Sequence, residues 1–106
     1  MPRYLFEASY TPEGVNGLRK AGAASRVAAL RDLCTGLDGS LVTFDFAFGD
    51  VDVFGIVELP DDIAAAAAAF TFGASTAVSV KTIKLLTVEE ADAAIARSVE
   101  YRPPGS

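Results

Sequence analysis

From Tyr4 to Tyr10 the chain alternates, with Tyr4, Phe6, Ala8 and Tyr10 on one side of an extended segment and Arg3, Leu5, Glu7 and Ser9 on the other. This predicts a first strand with one apolar and one half-polar face. Thr11-Pro12-Glu13 then offers a hydroxyl cap, a proline whose missing N–H costs nothing in a first turn, and an acid at the positive dipole end, so a helix is expected to start there. Gly14, Gly17 and Gly22 weaken its first half and predict a break between Ala21 and Ala24. Beyond it Val27, Leu30, Cys34 and Leu37 recur at helical spacing, and Gly36 and Gly39 are placed to end the run.

Two apolar stretches follow, Leu41 to Phe48 and Val51 to Leu59, separated by Gly49-Asp50, which predicts a tight two-residue hairpin. In that register Phe48 faces Val51, Phe46 faces Val53, Phe44 faces Gly55 and Val42 faces Val57, giving a wholly apolar side. The reverse side pairs Ala47 with Asp52, Asp45 with Phe54, Thr43 with Ile56 and Leu41 with Glu58, a mixed surface carrying three carboxylates. Pro60-Asp61-Asp62 stops the strand and opens a second helix through the alanine run Ala64 to Ala69, with Ile63, Ala66, Ala67 and Phe70 as its packing stripe. Thr76 to Leu86 reads as a fourth strand. Thr87-Val88-Glu89-Glu90 is a capping box for a last helix ending near Val99.

The order is βαββαβ with an added carboxy-terminal helix, a ferredoxin-like α+β fold. Right-handed crossovers put the first and third strands at the centre of a four-stranded antiparallel sheet, with helices on the apolar face only. A single domain over residues 1–100 and a tail over 101–106 are expected, since 106 residues suffice for one core.

Composition turns attention to partners. Hydrophobic residues make up 51% of the chain, rich for so small a body, which predicts apolar surface left over for self-association. Nine basic and fourteen acidic residues leave a net charge of −5 with no basic cluster, which argues against a nucleic-acid partner. No apolar run approaches the roughly 20 residues that span a bilayer and no signal-peptide core opens the chain, so a cytoplasmic protein is expected, and the single cysteine fits a reducing compartment.

Candidate chemistry concentrates on the mixed face. Asp52, at the start of a central strand and near Ser9 and Glu7, could act as a general acid or base if dimerisation removed its water; its structural alternative is a carboxylate accepting backbone N–H groups. Glu7 and Asp45 share the face, but with no histidine and no dense acidic loop the expectation is no metal and no cofactor. Arg3 and Glu58 should form a modest ion pair at the opposite end, or Arg3 should bind a ligand carboxylate. Arg3, Glu7, Ser9, Asp45 and Phe54 are accordingly the candidate ligand contacts. Cys34 falls on an apolar stripe with no base available and reads as core. The Phe44, Phe46 and Phe48 stripe, which could pass for a base-stacking platform, has the parity of the helix-covered side and also reads as core. Lys81 and Lys84 take opposite faces of the fourth strand.

Met1-Pro2-Arg3-Tyr4, Tyr10-Thr11-Pro12-Glu13-Gly14, the Gly36 to Gly39 segment, Gly49-Asp50-Val51-Asp52 and Pro60-Asp61-Asp62 together resemble the GYD-domain family of small bacterial proteins. That family is named for a Gly-x-Tyr-Asp signature, whose tyrosine position is Val51 here. The resemblance implies a dimeric α/β-barrel built from ferredoxin-like subunits and carries no established activity. The expected function is an oligomeric protein that binds a small molecule or a second chain through its sheet face. The alternatives are a cofactor-independent isomerase, lyase or oxygenase using Asp52 for proton transfer, and a purely structural assembly unit.

Overall fold

The computed structural model describes residues 1–106, and its elements run β1 (Arg3–Tyr10), α1 (Pro12–Ala21), α2 (Ala23–Gly36), β2 (Ser40–Phe46), β3 (Val53–Glu58), α3 (Asp62–Gly73), β4 (Val78–Leu85) and α4 (Val88–Ile95). The strands form one antiparallel sheet in the order β2-β3-β1-β4, which makes β1 and β3 central, as the crossover rule predicts. This is the expected α+β, ferredoxin-like arrangement with an added last helix.

Local signals account for most element boundaries. The Thr11 side chain accepts the Gly14 N–H at 3.2 Å and Pro12 opens α1, so the first turn loses no backbone partner it would otherwise have had. α1 stops where Gly22 adopts φ 89°, ψ 159°, a region that side-chain-bearing residues avoid, and α2 starts at the next residue. At the last helix Thr87 and Glu90 exchange both bonds of the capping box, and the Thr87 backbone N–H holds the Glu90 carboxyl below the usual range.

The core lies between the sheet and the helices. Tyr4 and Phe6 of β1, Val57 of β3, the following Leu59, Cys34 of α2, and Ala65 and Ala68 of α3 form one buried cluster. Phe72 closes it with its ring edge on Phe6, centroids 5.3 Å apart. Cys34 is fully enclosed and burial pushes its thiol pKa up, which keeps it a small hydrophobe, in accord with the reading from spacing.

Four expectations need correction. The β2–β3 register holds from Thr43 to Phe46, but a bulge at Val42 shifts the rest, so Leu41 faces Val57 and Ser40 faces Glu58. Leu41 thereby moves from the open face to the core side, where it packs against the buried cluster. The hairpin is not a two-residue turn: the strands end at Phe46 and Val53, with one further bond from Ala47 N–H to the Asp52 carbonyl. A type I′ turn needs left-handed backbone at both central residues, and Asp50 does not adopt it while Gly49 sits at φ 152°. Phe48 therefore misses Val51 and stands fully exposed, and Phe46 is also exposed, so of the three phenylalanines read as core only Phe44 is partly buried.

The α3 stripe is also rotated from its expected phase. Ala65 and Ala68 face the sheet, whereas Ile63, Ala66, Ala67 and Phe70 are exposed. Phe72 on Phe6 and Asp62 near Tyr4 and Lys84 fix the helix phase, and alanines let the backbone approach closely, so burying the two bulky residues is not the best-packed choice. Finally, α4 ends at Ile95 rather than near Val99 and buries none of its residues.

Candidate functional site on the open face of the sheet

Helices cover only one side of the sheet, and the strand registers lay out the other as rows. One row runs Thr43, Ile56, Leu5, Ile83; the next runs Asp45, Phe54, Glu7, Lys81. Alternation puts these side chains opposite the buried Tyr4, Phe6, Val53 and Val57. The result is an apolar centre with a charged flank. Phe54 and Ile83 remain 37% and 41% exposed, and Leu5 and Ile56 are half-buried, although all four sit in mid-sheet.

Charge on this face follows the same registers. Glu7 and Lys81 are directly opposed on β1 and β4, the favourable placement for unlike charges, while Asp45 and Glu7 flank Phe54 on either side. Lys84 has the other parity and reaches the helix side, as alternation predicts. At the far end Arg3 meets Glu58 at 3.5 Å, the expected pair, with both side chains too exposed for it to contribute much stability.

Asp52 sits where the β1–β3 ladder ends. Its backbone N–H donates to the Ala8 carbonyl at 2.9 Å, and its carboxylate Oδ2 accepts the Tyr10 N–H at 2.8 Å. The carboxylate thus extends the ladder by one bond after the strand backbones have diverged. Ser9 joins the same corner by donating to the Asp50 carbonyl at 3.2 Å. Ser9 and Asp52 therefore cluster, Glu7, Asp45 and Phe54 form the middle row, and Arg3 lies at the opposite end. Glu7, Asp45 and Asp52 do not converge into a group that could hold a metal ion.

One polar cluster lies on the covered side and had no signal in the sequence. The buried Tyr4 hydroxyl donates to Asp62 Oδ1 at 2.6 Å, and Lys84 Nζ approaches the same oxygen at 2.9 Å. Burial first, and the bonded Asp62 carboxylate second, push the Tyr4 pKa up to about 12. The Tyr4 and Lys84 bonds hold the Asp62 carboxyl below its usual range. The three residues tie the start of α3 to β1 and β4. Their separation along the chain, 58 residues from Tyr4 to Asp62, is what hides them from any local pattern.

No helix is long and apolar enough to cross a membrane. A family model described as GYD domain matches residues 4–95, which includes every strand and helix except the first residue of β1. Neither a curated protein nor a solved structure matches the chain significantly.

Proposed function

The chain belongs to the GYD-domain family, and from that premise we propose that it works as an oligomer whose open sheet face packs against a second copy of itself. The observation that carries this reading is surface. One chain exposes 7450 Å², whereas a compact monomer of 11.0 kDa exposes roughly 5,600 Å². The excess exceeds the roughly 800 Å² that each partner hides in a standard interface. Much surface is therefore available for a partner, exposed large hydrophobic side chains among it, and the mid-sheet patch of Leu5 and Ile56 with the neighbouring Phe54 and Ile83 is its most ordered apolar part.

Self-pairing through that patch would enclose Glu7, Asp45 and Lys81 and leave Arg3, Ser9 and Asp52 at the rim. Any small molecule held between the two sheets would meet Arg3, Glu7, Ser9, Asp45 and Phe54, which remain the proposed ligand contacts, with Asp52 beside them as the candidate acid or base. Phe54→Glu tests the interface by placing a charge in the apolar centre without touching the covered core. The expected result is loss of the oligomer with the far-ultraviolet circular dichroism unchanged; an oligomer of unchanged affinity in this variant contradicts the proposed face.

A further inference from the structure

Between α2 and α3, on the covered side of the sheet, packing is incomplete. Ala8 and Ala29 contribute little volume there, and although Leu30 packs over Gly55, a cavity of about 260 Å³ remains. Its buried wall includes Phe6, Val53 and Gly55, while Tyr10, Arg26, Thr71 and Ser75 bring polar groups to its more exposed side. The two ion pairs of the chain are Arg3–Glu58 and Lys84–Asp62, which leave the Arg26 guanidinium without a carboxylate.

We propose that this cavity binds a small aryl carboxylate, its ring among Phe6, Phe44 and Phe72 and its carboxylate on Arg26. Size supports a ring with a short acidic arm, because an apolar cavity of about 150 Å³ already holds benzene and this one is larger. Three phenylalanine side chains offer edge and face contacts to an aromatic guest. The guanidinium supplies the planar two-point donor that a carboxylate matches, in a half-buried position where such a bond is stronger than in open water. A net charge of −5 gives an anion no long-range attraction, so recognition falls to Arg26 itself. The site is on the opposite side of the sheet from the proposed self-contact and does not depend on it.

The test is an amide-shift titration of the full chain with 3-phenylpropionate and, separately, its neutral amide. The expected result is perturbation at Ala29, Val53 and Gly55, with the acid bound about tenfold more tightly than the amide. Arg26→Gln should bring the acid down to the affinity of the amide and leave the amide unchanged. Equal affinities of the two probes for the native protein overturn the proposal. So do perturbations centred on Leu5, Phe54 and Ile83, or none at millimolar probe, the result expected of a cavity closed by another copy. Should Arg26→Gln fold poorly, the acid-to-amide comparison on the native chain still decides.

Discussion

Asp52 holds two strands together with two different parts of itself, its backbone N–H to Ala8 and its carboxylate to Tyr10. Removing the carboxylate leaves the half-buried Tyr10 N–H unpaired, so Asp52→Ala should cost about 1–3 kcal/mol in urea unfolding. Asp52→Asn keeps an acceptor oxygen and should cost clearly less; equal losses would remove the ladder-extending role. Tyr4 gives a prediction in pH. Its folded pKa is raised to about 12 from an ordinary value of 10.0, so its contribution is complete below pH 10 and is lost as pH climbs toward 12. The native protein should weaken through that alkaline window, and Tyr4→Phe, about 1 kcal/mol less stable at neutral pH, should weaken less steeply there. At this scale the sequence reveals only what depends on near neighbours or strand parity. It puts Cys34 in the core and pairs Arg3 with Glu58, but it gives no signal for Tyr4, Asp62 and Lys84, whose meeting depends on how α3 docks.

Elements begin and end where the chain says so when the signal is a hydrogen bond within four residues. The caps at Thr11 and Thr87 are of that kind, and so is the break at Gly22, whose backbone conformation excludes side chains. Gly22→Ala should therefore destabilise the fold by about 1–3 kcal/mol, read by thermal unfolding, although alanine is the better helix former. A neutral or stabilising outcome would mean that α1 and α2 can merge into one helix. Elements whose placement depends on distant contacts carry no such local signal. The alanine run of α3 has no internal contrast, so its phase is set by Phe72 and Asp62 rather than by Ile63 and Phe70. The bulge at Val42 has no local mark, since the alternation of Thr43 to Phe46 continues smoothly into Leu41-Val42, and its effect is to transfer Leu41 to the other face of the sheet.

The whole molecule is more extended than its length requires. Its radius of gyration is 16.8 Å, against roughly 13 Å for a compact domain of this length. The longest dimension is 55 Å, and Val88 and Ile95 of α4 are 79% and 80% exposed, so the last helix adds apolar surface without burying any of its residues. The 51% hydrophobic content is thus not consumed by the core, since only ten of 106 residues are buried. An apolar sheet row on one side, an under-filled cavity on the other and an uncovered last helix all follow from that imbalance. The sequence made surplus apolar surface foreseeable, and strand parity put part of it on the open face; the cavity lies where residues of β1, β3, α2 and α3 meet in space, which no spacing along the chain records. The most direct test of the central claim is the mass of the native protein by light scattering at micromolar concentration. At least twice the 11.0 kDa of one chain is predicted, and a monodisperse species at 11.0 kDa would contradict it.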